Sequence, residues 1–229
     1  MILESIILLN NTLSKTKDDL DFSRLQLNSM YVQNSRGKYE TQILSAIKQP
    51  MMDIRKFSWD MSLFLSQEFN LLSIDTKYST GSSIMPNKHN PDVIEIMRAN
   101  YSIIAGYASE LENLISLPSG YHRDLQLTKR SLVRGFDIAI KTMSILPNLI
   151  KSIDINKAQS LKFIDDDMRM TDKVYDLVSK GVAFRDAYNS IKSSKNEKGA
   201  ISSKPMNSSP GSPGNLNLKD LIKRLKKQK

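Results

Sequence analysis

The fold of this chain is indicated most clearly by NPDVIEIMRANYSIIAGYASELENLISLP, residues Asn90 to Pro118. Apolar side chains recur there at intervals of three, four and seven residues, which is typical of a helix that packs along a seam in a bundle. Asn90 is a favourable N-cap, Pro91 suits the first helical position and Pro118 marks the stop. We therefore predict one long helix that begins after Asn90 and ends near Leu117. Its seam comprises Val93, Met97, Ile104, Ala108, Leu111 and Ile115.

Two more helical patterns flank this stretch, whereas strand signals are scarce. One covers about Tyr39–Phe69, and we expect Pro50 to kink or restart it. Its stripe comprises Leu44, Ile47, Met51, Ile54, Met61 and Phe64. The other covers about Leu127–Ile150, and we expect Pro147 to bend or fray its last turn. Its apolar face comprises Val133, Phe136, Ile140, Met143 and Ile150. The predicted fold class is all-α, a bundle of long helices.

The helical patterns become shorter after Asp154, which suggests two domains. The first, residues 1–153, is predicted to be a partial central helical-bundle domain. The second, residues 154–229, is predicted to be a small helical domain. Its helices are expected near 166–180, ended by Gly181, and near 184–191. No internal repeat is apparent.

The basic character of the chain belongs to its tail. The formal net charge is +9, but Asn189–Lys229 holds ten Lys or Arg against Glu197 and Asp220. Residues 193–217 are rich in Ser, Pro and Gly, which favours loop or disorder, and a short basic helix is predicted over 218–225. Because the charge is not spread over the fold, a nucleic-acid partner is not expected. A nucleic-acid or membrane-surface role for the tail is the least favoured reading.

Composition excludes several classes of function. There are no cysteines and only two histidines, His89 and His122, which excludes disulfides and thiolate metal sites and makes a histidine-rich metal site an unfavoured reading. We expect no metal and no cofactor. Met1–Leu9 is apolar, but it is interrupted by Glu4 and far too short to span a membrane, and it lacks the basic lead of a signal peptide. A cytoplasmic protein without a membrane partner is expected.

The segment TGSSIMPNKHNPDVIE, Thr80 to Glu95, carries the most chemistry. Small flexible residues, hydroxyls and Lys88 precede a helix start, where unpaired N–H groups and positive potential can bind an anion. Composition alone favours the simpler reading, a flexible connection with a solvated lysine, because Gly and Ser are common in loops.

Resemblance to a known family reverses that preference. The string GSSIMPNKHNPDVIE resembles the signature of the fumarase/aspartase superfamily, whose members share elimination chemistry that yields fumarate or an equivalent product. LPSGYHRDLQLTK, Leu117–Lys129, and TDKVYDLVSKGVAFRDAY, Thr171–Tyr188, resemble segments of argininosuccinate lyases. Asn28, Ser29 and Met30 with Arg36 resemble a third. The resemblance implies a carbon–nitrogen lyase that cleaves argininosuccinate to arginine and fumarate in arginine biosynthesis.

The resemblance implies roles for residues of the loop. Ser82 matches the general base that removes the Cβ proton, and Ser83 matches a position of loop architecture. Lys88 and Asn90 match residues that hold the succinyl carboxylate, and Glu95 matches an acidic residue that holds loop elements in place. The chemistry requires such groups, because a proton beside a carboxylate is barely acidic and the aci-carboxylate formed on its loss needs cations and N–H donors.

Four residues outside the loop match substrate-binding positions. Asn28 matches a residue near bound substrate, and Tyr121, Gln126 and Lys129 match those that bind the amino acid end of the leaving group. Without the resemblance, the latter three would read as the polar face of a helix start. His122 reads as a surface or supporting side chain.

Argininosuccinate lyases are considerably longer, and the chain resembles only their C-terminal portion. Their N-terminal portion carries a Thr-His motif assigned to proton transfer, so we expect the isolated chain to be inactive. The family implies a homotetramer whose active sites combine segments of three subunits; assembly with a separate N-terminal segment is the other expectation. Two alternatives stay open: a catalytically silent helical oligomerisation fragment, and another fumarate-releasing lyase such as adenylosuccinate lyase.

Overall fold

The protein is described by a computed structural model that covers residues 12–26, 28–81, 83–85, 88–165, 167–194 and 209–227. The described residues are mainly helical, which confirms the all-α prediction. The helices are α1 (12–19 in its described part), α2 (Ser29–Asn34), α3 (Lys38–Phe64), α4 (Asp92–Leu114), α5 (Thr128–Lys151), α6 (Lys157–Lys162), α7 (Met170–Ser179), α8 (Phe184–Ser193) and α9 (Leu218–Lys227). The strands are β1 (Leu72–Ser73), β2 (Thr80–Gly81), β3 (His89–Asn90) and β4 (Asp154–Ile155).

The chain divides into two compact units. Unit 1 contains the residues up to Ser66 and Ile74–Ile153, and unit 2 contains Gln67–Ser73 and the chain from Asp154 onward. The sequence had placed Gln67–Ser73 in the first domain. It belongs to unit 2 because β1 pairs antiparallel with β4, Leu72 opposite Ile155.

Unit 1 is a bundle of α3, α4 and α5. Its core comprises the fully buried Leu44, Met51, Ile94, Met97, Ile104, Leu111 and Leu149. Most of the predicted stripe of α3 is buried, but Phe64 is exposed, and Ser58 is buried on the same face. The Ser58 hydroxyl can be buried because it donates to the Ile54 carbonyl. On α4, Ile94 rather than Val93 is the first buried residue.

Neither internal proline breaks its helix. α3 continues through Pro50 without a restart, and the other predicted outcome, a kink at Pro50, stays a prediction. The helix ends at Phe64 rather than Phe69. α5 likewise continues through Pro147 to Lys151. In both helices tertiary packing on the neighbouring helices outweighs one missing backbone donor.

The apolar face predicted for α5 is largely exposed in unit 1. Val133, Phe136 and Ile140 are 65%, 38% and 59% exposed. The buried face instead comprises Thr128, Ser131, Gly135, Ala139, Thr142 and Leu149. Small residues allow α5 to approach closely: a Cβ added to Gly135 would lie 2.7 Å from Leu44 Cδ2. Their hydroxyls are paired, since Ser131 donates to Glu110 and Thr142 accepts from Asn100.

Unit 2 contains the predicted helical hairpin of α7 and α8. Gly181, with φ of 92°, follows the end of α7 as expected for a residue that ends a helix. The rings of Tyr175 and Phe184 pack with their centroids 6.4 Å apart. The predicted basic helix is present as α9.

Candidate active site

The loop segment Thr80–Glu95 begins with a small hairpin. β2 pairs antiparallel with β3, Thr80 opposite Asn90 and Gly81 opposite His89. Asn90 is therefore not the N-cap of α4; Pro91 occupies that position and provides no side-chain cap. The strand pairing holds Asn90 in an extended backbone conformation. The Asp92 side chain, two residues further along, accepts a hydrogen bond from the Thr80 hydroxyl and so connects the hairpin to α4.

Two of the matched residues, Ser83 and Lys88, lie in the described part of the loop between β2 and β3. Ser83 and Lys88 are exposed, and the Lys88 backbone N–H donates to the Met85 carbonyl at 3.0 Å. Ser82, the predicted general base, lies outside the described residues, so its role stays a prediction. An exposed lysine beside a helix start supplies the positive potential that a dicarboxylate ligand requires.

Glu95 lies in the first turn of α4 and is exposed. The resemblance implies that Glu95 holds loop elements in place, and this role stays a prediction. Between the hairpin and α4, Asp92 accepts a hydrogen bond from the Thr80 hydroxyl. Asp92 was missed. The available signal was its place directly after Pro91, where an acidic residue favours the helix start and can also reach back to a preceding hydroxyl.

Tyr121, Gln126 and Lys129 form a chain of hydrogen bonds, so the structure brings together the three residues that the sequence grouped. The Gln126 side-chain amide donates to the Tyr121 hydroxyl at 2.8 Å, and Lys129 Nζ donates to the Gln126 oxygen at 3.2 Å. A short 3-10 turn, Arg123–Gln126, followed at once by α5 sets this spacing. All three side chains are exposed and can accept a ligand.

Arg36 joins this group, which we call the Tyr121 cluster: Arg36, Tyr121, Gln126 and Lys129. The Arg36 guanidinium lies over the Tyr121 ring, 4.6 Å from its centroid. Arg36, foremost by hydrogen bonding and also by its charge, lowers the pKa of the Tyr121 phenol below its ordinary value, and Gln126 adds to the effect. Sequence reasoning noted Arg36 only as part of a resembling segment and assigned it no role.

A cavity of about 270 Å³ lies beside Arg36. It is lined by Asn34, Gly120 and His122 among others, and the Asn34 side chain accepts from the Gly120 backbone N–H at 3.0 Å. His122 Nε2 lies 3.0 Å from the Pro118 carbonyl oxygen. Its described contact is thus with its own loop, as suits a supporting side chain.

Asn28, predicted to lie near substrate, caps α2. Its side-chain oxygen accepts from the Tyr31 backbone N–H at 3.0 Å. α2 is tied to the start of α3 by the hydroxyls of Tyr31 and Tyr39, 3.3 Å apart. Asn28 therefore belongs to the end of the bundle that holds Arg36, and contact with substrate stays a prediction.

The hairpin and the Tyr121 cluster lie at opposite ends of α4. The hairpin is bonded to Asp92, the first residue of α4. At the other end, Gly37, next to Arg36, packs against Ile115, the residue that caps α4. A helix of this length is about 33 Å long. One chain therefore separates the two groups by most of the length of α4.

The described part of the chain shows no group of three or more His, Asp or Glu side chains arranged to hold a metal ion. Within the same residues, no helix is long and apolar enough to cross a membrane.

Comparison with known proteins agrees with this architecture. Residues 21–106 match the family described as lyase. The class II fumarase of Schistosoma mansoni superposes with a TM-score of 0.60 at 15% identity over 79% of this chain and 44% of that one. An EDDS lyase variant with bound fumarate gives 0.60 at 17% identity over 75% and 34%. At such identities these structures establish the fold alone. Residues 21–106 are thus similar to lyases in sequence, and the fold is the one seen in these solved lyases.

Over most of its length, the sequence is similar to argininosuccinate lyases. The enzyme of Xanthomonas oryzae pv. oryzae is 45% identical over 173 residues, which cover 76% of this chain and 40% of the relative. That of Stenotrophomonas maltophilia is 40% identical over 209 residues, covering 88% and 48%. The resemblance inferred from the motifs is confirmed, and the chain spans less than half the length of these relatives.

Proposed function

We propose that the chain supplies two parts of an argininosuccinate lyase active site, which releases fumarate and arginine by β-elimination. The observation that carries the proposal is the Tyr121 cluster, in which a phenol, an amide and two cations are linked around an exposed surface. Cations and hydrogen-bond donors of this kind suit the carboxylate of an amino acid. The similarity to argininosuccinate lyases of two bacteria supports the choice of substrate.

The proposed elimination uses the hairpin at the succinyl end of the substrate. A base, for which Ser82 is our candidate, takes the Cβ proton, and negative charge develops on the neighbouring carboxylate. Lys88 and the N–H groups at the start of α4 stabilise that charge where it forms. The electron pair of the aci-carboxylate then forms the double bond of fumarate as the C–N bond breaks. The leaving nitrogen of arginine takes a proton from a general acid, for which our candidate is the histidine of the Thr-His motif that the resemblance assigns to the N-terminal portion of the family.

We further propose that each active site combines different copies of the chain. The hairpin and the Tyr121 cluster are separated by α4, a distance far greater than the length of argininosuccinate, so one copy cannot place both on one substrate. The exposed apolar face of α5, with Val133, Phe136 and Ile140, offers the surface for association. A homotetramer in the cytoplasm, built around this face, is the assembly we propose.

Activity is tested by following fumarate absorbance with argininosuccinate as substrate. The chain is assayed alone and mixed with the segment of the Xanthomonas relative that the alignment leaves uncovered. We expect turnover only in the mixture and a loss of about 10²–10³ in Lys88→Ala. Tyr121→Phe should raise KM, whereas Tyr188→Phe, an exposed tyrosine in α8, should leave it unchanged. Release of fumarate from adenylosuccinate but not from argininosuccinate would refute the substrate assignment.

Mixing variants tests the shared site. Lys88→Ala and Tyr121→Phe damage opposite ends of α4, so co-assembled copies should regenerate some intact sites and recover activity. Lys88→Ala mixed with Asn90→Ala should recover none, because both changes damage the hairpin. Equal behaviour of the two mixtures would rule out sites built from several copies. Replacing Phe136 by Asp should reduce the assembled mass measured by light scattering and lower turnover with it.

A further inference from the structure

The C-terminal helix α9 has a continuous apolar face that no residue in the described part of unit 2 covers. Leu218, Leu221, Ile222 and Leu225 recur at the spacing i, i+3, i+4, i+7. On a helix these four positions fall within an arc of about 100°. Their side chains are 50% to 64% exposed. Exposure of these four side chains to water is unfavourable, and their burial against an apolar surface would lower the free energy.

The opposite face of α9 is strongly basic. Five of its ten residues are Lys or Arg, and Asp220 is the single acid. Asp220 pairs with Arg224 at 2.8 Å, which leaves a clear surplus of positive charge. The basic residues are Lys219, Lys223, Arg224, Lys226 and Lys227. A partner that suits both faces of α9 must offer apolar material and negative charge along one boundary.

We propose that α9 binds the surface of an anionic lipid bilayer. Its apolar face would enter the boundary between headgroups and acyl chains while its lysines contact acidic headgroups. This contact is peripheral, so it agrees with the lack of a membrane-crossing helix in the described residues. It replaces the expectation from the sequence that no membrane is involved, and it does not depend on the proposed enzymatic function.

Two other partners fit α9 less well. Duplex nucleic acid would be attracted to the lysines, but it offers no use for a continuous stripe of four apolar residues. A second α9 would bury the stripe, but ten residues span fewer than two heptads, and helices this short are marginal in water. Five cations on each copy would also repel one another. A bilayer both stabilises the short helix and neutralises its charge.

The test is co-sedimentation of the full chain with phosphatidylcholine vesicles that contain or lack phosphatidylserine. We expect binding only to the vesicles that contain phosphatidylserine, and weaker binding as salt is raised. The charge-neutral variant Leu221→Gln/Leu225→Gln should reduce the partition coefficient by roughly tenfold or more. Leu161→Gln, which alters a similarly exposed leucine in α6, is the matched control and should leave it unchanged.

Three results would overturn the proposal. The first is equal binding to both kinds of vesicle or to neither. The second is binding that Leu221→Gln/Leu225→Gln leaves intact, because the apolar face would then be irrelevant; duplex DNA binding that also survives this variant would assign α9 to nucleic acid instead. The third is a reduction of assembled mass by this variant in the absence of lipid, which would mean that a second copy covers the face.

Discussion

Replacing Gly37 by alanine tests how closely the start of α3 packs against the end of α4. Gly37 caps α3 with φ of 82°, where a side chain costs about 1–2 kcal/mol. An added Cβ would overlap Cγ2 of Ile115, and overpacking of this kind costs about 1–3 kcal/mol. We therefore expect the free energy of unfolding to fall by about 2–5 kcal/mol. The measurement is urea unfolding followed by circular dichroism, at one fixed chain concentration because association alters apparent stability.

Two further variants separate the causes. Gly106 lies within α4 with open space around its Cβ position, so Gly106→Ala should raise stability by about 0.5–1 kcal/mol. Ile115→Ala removes the overlapping methyl group but not the backbone strain. The loss of stability in the double variant Gly37→Ala/Ile115→Ala should therefore be smaller than the sum of the two single losses by at least about 1 kcal/mol. Simple additivity, or a Gly37→Ala chain that unfolds at the wild-type urea concentration, would refute this account of the packing.

Three other outcomes are expected. Thr142→Val removes the acceptor of the Asn100 amide and should cost about 1 kcal/mol in urea unfolding. Hydrogen bonds from Ser131, the larger cause, and from Arg130 lower the pKa of Glu110 below its ordinary value of 4.5. The stability that this contributes is present above pH 4.5 and is lost as the pH falls through the lowered pKa. The unfolding free energy of Glu110→Gln should therefore depend less on pH in the acid range. Arg36→Gln should raise the pKa of the Tyr121 phenol toward its ordinary value. The measurement is an ultraviolet titration, in which the signal of Tyr121 is identified as the part that Tyr121→Phe removes.

The sequence predicted α4 well because its signals agree. Apolar spacing and prolines at both ends indicate the same helix, and Met97, Ile104, Ala108 and Leu111 are buried as expected. Its cap was wrong because Asn90 pairs with Thr80 in a hairpin of two-residue strands. So short a pairing carries no alternating pattern, and local preference alone favours the capping role.

The inner face of α5 could not be read from hydrophobicity. Either face of α5 can pack against another helix. The periodicity of apolar residues identifies the more apolar face, but it does not show which helix, in the same chain or another, that face contacts. Within the unit, close approach favours small residues such as Gly135. Ser131 and Thr142 suit the same face because they hydrogen-bond with Glu110 and Asn100 of α4, contacts that form only in the folded bundle. The apolar face is thus left for contacts beyond the unit. The grouping of Tyr121, Gln126 and Lys129 was predictable from the resemblance. The part played by Arg36 was not, because it depends on a contact in the folded chain between the turn after α2 and the loop after α4.

The length of α4 connects the exposed apolar face of α5 to the chemistry we propose. A helix of about 33 Å holds the hairpin at one end and the Tyr121 cluster at the other. A substrate only a fraction of that length can contact both groups only if a second copy brings its hairpin alongside the first copy's cluster. Such an approach needs an apolar surface along the bundle rather than at its ends, and α5 exposes one over most of its length. On this reasoning, the exposed apolar residues of α5 complete the active site by joining one copy of the chain to the next.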